Sequence, residues 1–160
     1  MKIVIAAVGR LKDGPERELV ARYAERAANA GRQLALGSVE IREAPESRAR
    51  NADVRKREEA EALATLLPPG AVLIALDEGG KSLSSQDFAD WLAQRRDAGA
   101  PAVGFVIGGA DGLDRSLAGR ASLVLSFGRQ TWPHQIVRAL LAEQIYRAIT
   151  ILAGHPYHRE

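Results

Sequence analysis

The chain has 160 residues, 46% hydrophobic and 26% charged, which are the values of one globular domain with a sizeable core and not of a disordered segment. It has no cysteine, which excludes disulfides and thiolate chemistry and fits a cytoplasmic, reducing compartment. With 22 basic against 20 acidic residues the net charge is only +2, so partners must be read from where the charges lie.

After Lys2, the run Ile3-Val4-Ile5-Ala6-Ala7-Val8 is too short to span a membrane and is followed by no clear cleavage pattern. Residues 2–8 read as a first buried strand ended by Gly9. Pro15 opens a helical pattern over residues 15–29, with Leu19, Val20, Tyr23 and Ala27 at helical spacing and Gly31 as its stop. Residues 34–41 alternate as a second, less buried strand, and residues 42–50, with Pro45 and many charges, read as an exposed loop. Asn51 or Asp53 caps the next helix, which runs to about Leu67 and is stopped by Pro68-Pro69-Gly70.

Residues 71–77 form the clearest strand, running out into Glu78-Gly79-Gly80-Lys81. Ser84 or Ser85, followed by Asp87, starts a helix through Phe88, Trp91, Leu92 and Arg95, closed by Gly99 and Pro101. Val103-Gly104-Phe105-Val106-Ile107 is an uncharged run that reads as a strand buried on both faces, and it breaks into Gly108-Gly109-Ala110-Asp111-Gly112. Glycine at a strand end lets backbone approach a ligand; the same five residues are equally readable as a tight turn that needs positive φ. A short helix over 113–119 and a fifth strand over 122–126 follow. The irregular Phe127-Gly128-Arg129-Gln130-Thr131-Trp132 then leads into a long helix begun by Pro133 and stopped by Gly154.

This order predicts an α/β domain spanning residues 1–160, a mainly parallel sheet with helices on both faces. Neither GxxxxGK[ST] nor GxGxxG occurs, so a nucleotide-phosphate cradle is disfavoured. His155 and His158 lie on a Pro-containing tail without a companion carboxylate pattern, which argues against a metal site. Basic residues gather at Arg42, Arg48, Arg50, Arg55, Lys56 and Arg57, and again near the C-terminus. The first group is readable as a phosphate-binding face or, with Glu43, Glu46, Asp53, Glu58 and Glu59 between, as a solvated surface.

Five motifs together resemble one family. They are Leu76-Asp77 with Gly79-Gly80-Lys81; Ile107-Gly108-Gly109 with Asp111-Gly112-Leu113; Thr131-Trp132-Pro133-His134 with Arg138; residues 143–148, Glu-Gln-Ile-Tyr-Arg-Ala; and the ending His155-Pro156-Tyr157-His158-Arg159-Glu160. The likeness is to the RlmH family of SPOUT-class methyltransferases and covers the whole chain, the six-residue ending being its most specific part. It implies a C-terminal trefoil knot, which ordinary topology rules would not predict. It also implies S-adenosyl-L-methionine as cofactor and a homodimer. The implied reaction is methylation of N3 of a pseudouridine in 23S ribosomal RNA of the large subunit, within the assembled ribosome.

By the same resemblance the cofactor pocket is built from Leu76, Gly108 and the segment Phe127, Gly128, Arg129, Gln130, Thr131, Trp132. His134, Glu143, His155 and His158 are chemically able to remove the imide proton. Arg138, Arg147 or Arg159 would stabilise the anionic base, and Tyr157 offers a ring that stacks on a base or walls the cofactor. Plainer readings stand beside these: Trp132 as a staple at a helix start, Glu143 with Arg147 as an ordinary i, i+4 pair, His134 as a local contact. Two other functions fit the same pattern, a non-catalytic ribosome- or RNA-binding factor and a small-molecule regulator on an open flavodoxin-like sheet. The long helix is apolar beyond a narrow stripe, and from this a partner-facing side, with Ile145 on it, is expected.

Overall fold

A computed structural model describes residues 1–158. Its strands are β1 (Lys2–Val8), β2 (Ser38–Ala44), β3 (Val72–Lys81), β4 (Ala102–Ile107) and β5 (Leu123–Leu125), and its helices α1 (Pro15–Gly31), α2 (Ala52–Thr65), α3 (Ser85–Asp97), α4 (Arg115–Gly119) and α5 (His134–Leu152). All strand pairs are parallel, in the order β2-β1-β4-β3-β5. Alternation along the strands sorts their side chains into two cores. Ile3, Ile5 and Ala7 join α1, α3 and α5 on one face, while Ala6 and Val8 join α2 and α4 on the other. Six consecutive buried residues in β4 mark it as covered on both sides.

The expected caps are in place. Asn51 accepts hydrogen bonds from the amides of Asp53 and Val54, and Ser84 with Asp87 closes a reciprocal capping box. Three boundaries differ from the sequence reading. The second strand is Ser38–Ala44 and not 34–41, because Arg32–Leu34 forms a 3₁₀ turn and Ala35 is left-handed at φ +56°. As an edge strand β2 tolerates charge within it, so Arg42 folds back onto Glu40 and the Leu66 carbonyl.

The third strand continues through Gly79 and Gly80 to Lys81 where a loop was expected. A register shift separates the Leu76 and Lys81 pairings with β5, and a Cβ on Gly80 would fall 2.7 Å from the Val124 carbonyl oxygen. Gly80 therefore serves close backbone contact within the sheet. The short fourth helix begins at Arg115, after Asp114, whose carboxylate accepts from the Ser116 amide.

The last helix corrects a further expectation. Helix α5 lies between α1 and α3, so most of its apolar surface, Ile145 included, is consumed within its own chain; Ile145 is completely buried. Also completely buried is Arg138. Its Nη1 donates to Glu43 Oε1 at 2.9 Å, and its Nη2 donates to the carbonyls of Val8 and, at 2.8 Å, Gly9. Arg138 is thus not in a position to meet a substrate, as the sequence reading had it, because its fork is occupied by the ends of β1 and β2. No helix among the described residues is long and apolar enough to cross a membrane.

Arg138→Met would leave two carbonyls unpartnered and Glu43 without its cation, and is expected to cost about 3 kcal/mol in denaturant unfolding. Arg138→Lys should recover only part of this, since an ammonium cannot fork. An unchanged midpoint for the methionine variant would refute the anchoring role.

Candidate active site

The carboxyl ends of β3, β4 and β5 open into one cleft of about 730 Å³, within the range that encloses a cofactor-sized molecule. Parallel strands all deliver their following loops to the same sheet edge, so segments far apart in sequence converge there. Leu76, Asp77 and Glu78 form one wall, residues 108–113 a second, and residues 125–128 and 130–134 a third, with Val137 behind them. Of the expected pocket residues, Leu76, Gly108, Phe127, Gly128, Gln130, Thr131 and Trp132 all line it. Arg129 does not: Gly128 turns the chain at φ +114°, and the Arg129 side chain is exposed.

The 108–112 segment is both of the things its sequence allowed. Gly112 has φ +81°, and its amide donates to the Gly109 carbonyl at 3.0 Å, closing a tight turn that also lines the cleft. Gly108 has a different task from the expected ligand approach. A Cβ there would fall 2.6 Å from the Gly112 carbonyl carbon and 2.8 Å from the Leu113 amide nitrogen, so the bare backbone makes room for its own loop. The third wall is stitched to the first. The Ser126 amide donates to the Lys81 carbonyl at 2.9 Å, and the Thr131 hydroxyl donates to Glu78 Oε2 at 2.8 Å.

The donor set suits a molecule that carries an adenine edge and positive charge. Backbone at Gly108, Gly109 and Gly128 presents peptide groups to the cleft, Leu76 and Trp132 supply apolar walls, and Asp77, Glu78 and Asp111 place carboxylates around it. The acids were not among the candidates named from sequence; acidic residues directly after apolar strands were the available signal.

His134 stands at the cleft wall as the first residue of α5. Burial, and then the Arg138 cation, hold its imidazole below the usual 6.5, with Glu46 and Glu59 partly opposing them. The other candidates gather elsewhere. Glu143 Oε1 accepts from Arg147 Nη2 at 2.6 Å and from the Tyr157 hydroxyl at 3.0 Å, and Arg147 lies over the Tyr157 ring. Tyr157 also packs on Tyr146, with ring centroids 4.6 Å apart. Burial and hydrogen bonds involving Tyr23 and Glu143 push its phenol well above the ordinary range, so it is a donor and not a base.

His155 is exposed, its Nδ1 accepting from the Tyr157 amide, and His158 is half-buried. Arg159 lies outside the described residues. As far as His158 the tail thus runs back along α5 of its own chain and does not fold over that chain's cleft. Glu143 is nine positions beyond His134, or about 13 Å along the helix.

Residues 1–158 match the family described as Predicted SPOUT methyltransferase, which sets the class of this sheet and cleft. The chain belongs to that family and, within it, groups with proteins named ribosomal RNA large subunit methyltransferase H. The protein of that name from Xanthobacter autotrophicus is 57% identical over 159 residues, covering 99% of both chains. That from Bradyrhizobium sp. is also 57% identical over the same share. Solved structures extend the likeness in fold. A probable methyltransferase from Bordetella pertussis Tohama I superposes with TM-score 0.50 at 15% identity, covering 92% of this chain and 96% of that one. A probable methylase family protein from Haemophilus influenzae Rd KW20 gives 0.51 at 11% identity, covering 99% and 70%.

A histidine whose folded pKa is depressed binds its proton less readily than in the unfolded chain. Its contribution to stability is therefore complete above 6.5 and lost as pH falls through the folded value. A proton NMR titration should place the His134 midpoint below that of an unfolded-chain histidine, and His134→Gln should remove this part of the acid-side slope. A midpoint at or above 6.5 would contradict the burial argument.

Proposed function

We propose that this protein transfers a methyl group from S-adenosyl-L-methionine to N3 of a pseudouridine in 23S ribosomal RNA of the assembled ribosome, acting in the cytoplasm as a homodimer. The observation that carries the reading is the cleft itself, which three strand ends, rich in exposed backbone and rimmed with carboxylates, enclose in a chain of the methyltransferase family. Residues 76–78, 108–113 and 126–132 would hold the cofactor. Bonds from Ser126 and Thr131 tie the third of these segments to Lys81 and Glu78 of β3.

When bound, the cofactor supplies an activated methyl group and a neutral thioether leaving group. The chain then has to align N3, methyl and sulfur, and to accept the N3 proton as the nitrogen–carbon bond forms and the carbon–sulfur bond breaks. His134 suits the proton: it lines the cleft and is neutral at physiological pH. Arg147 and Tyr157, oriented by Glu143, with His155, His158 and Arg159, suit the anionic base and its phosphates. Their distance along α5 from His134 favours service in the partner's cleft. Trp132, 42% exposed, and the half-buried Ile136 and Leu140 leave an apolar strip beside the cleft where a second copy would sit.

Labelled methyl should pass to ribosomes lacking this modification, and pseudouridine N3 should be its site; no incorporation would overturn the assignment. Gly108→Val forces the turn against its own backbone and is expected to abolish cofactor binding in calorimetry while the fold persists. Wild-type affinity in that variant would remove Gly108 from the pocket.

Deleting residues 157–160 should preserve cofactor binding but cut methyl transfer severely. Mixing the truncated chain with Gly108→Val should restore part of the rate, because one hybrid cleft then has both an intact pocket and an intact tail. Full activity of the truncated chain alone would eliminate the tail's role.

A further inference from the structure

Two side chains of α2, one helical turn apart on the same face, reach the turn at 109–112. Arg55 forks onto Asp111, with Nε donating to Oδ2 at 2.7 Å and Nη2 to Oδ1 at 3.1 Å. Its remaining nitrogen, Nη1, donates to the carbonyls of Ala49 at 2.9 Å and Arg50 at 3.0 Å. Glu59 is only 6% exposed; its Oε1 accepts from the Ser47 amide at 3.0 Å. Its Oε2 has no hydrogen-bond partner and lies against Gly109, where a Cβ would come within 3.0 Å of it.

Both residues therefore touch the same two segments, the 47–50 loop and the cleft-lining turn. The fork and the two carbonyl bonds tie the loop to the turn, whereas a buried carboxylate oxygen without a donor is costly. Stability alone does not explain the Glu59 arrangement. The 47–50 loop carries Arg48 and Arg50, both exposed, within a basic stretch that continues through Lys56 and Arg57. Charge there suits a phosphate backbone.

We propose that Arg55 and Glu59 are positioning residues that link an RNA-backbone contact at Arg48 and Arg50 to the cofactor turn, so that RNA and cofactor bind cooperatively. The proposal rests on the reading of this protein as an RNA methyltransferase. RNA that orders the 47–50 loop would fix Arg55 and Glu59, and through Asp111 and Gly109 the wall of the cleft. By reciprocity the cofactor strengthens RNA binding by the same factor.

The test measures S-adenosyl-L-methionine affinity of the full chain by calorimetry, with and without a short RNA hairpin. The hairpin should tighten cofactor binding about fivefold in the wild type and have no such effect in Arg55→Gln or Glu59→Gln. Arg55→Lys, which retains the charge but loses the fork, should give an intermediate value. Asp111→Asn cuts the same link from the cleft side and serves should the α2 variants fail to fold. Coupling that survives in Arg55→Gln and Asp111→Asn overturns the proposal. So does a wild type that binds both ligands independently, which leaves the methyltransferase reading intact. A wild type that binds no S-adenosyl-L-methionine overturns both.

Discussion

The carboxyl end of the sheet is held by one guanidinium. Arg138 is completely buried, and its partners are the Val8 and Gly9 carbonyls, where β1 stops, and Glu43, near the end of β2. Glu43 Oε1 also accepts from the Leu11 amide, so the turn after β1 hangs on the same carboxylate. The arrangement fixes the position and rotation of the first turn of α5 relative to β1 and β2. His134 and Val137, which line the cleft, lie within a turn of Arg138 and take their places from it. Burying a charge is tolerated here because both terminal nitrogens find acceptors and Glu43 supplies the counter-charge, although Nε has no partner.

Polar ties continue this frame around the cleft. Ser126 and Thr131 fasten the last irregular segment to β3, while Arg55 and Glu59 fasten the glycine turn to the 47–50 loop. Each wall thus leans on an element outside it. The apolar core has a different distribution, lying between the sheet and α1, α3 and α5 on one face and α2 and α4 on the other. Packing sets the layers; a small number of hydrogen bonds sets the loops.

The layers were legible in the sequence because their signals are local. Apolar runs bounded by glycine and proline marked four of the strands, loose alternation marked the second with its bounds displaced, and Asn51, Ser84 and Pro133 marked helix starts within a residue of where they occur. Leu76, Gly108 and most of 127–132 were legible as a pocket through family likeness, and the parallel sheet explains their meeting. What was missed depends on long-range pairing. Nothing near Arg138 indicates that its acceptors lie some 130 positions earlier, and nothing near Ile145 indicates that α1 and α3 enclose it. Gly80, next to Gly79, mimics a turn because its reason, the approach of Val124, belongs to another strand. Arg55, Glu59 and Asp111 were hidden for the same reason: a charged residue shows its composition in sequence and its partner only in space.

The strand order also has a temporal consequence for a chain made from its N-terminus. β1 lies inside the sheet between β2 and β4, yet β4 comes about 100 residues later, and the cation that seals its end comes later still. Synthesis at about 5–20 residues per second leaves the first strand incompletely paired for several seconds. Contacts so distant along the chain slow folding, since closure entropy is met before any non-local pairing repays it. The cleft takes its last wall and its anchor from the final 35 residues or so. Until they have left the ribosome, the newborn chain has no site in which to work on one.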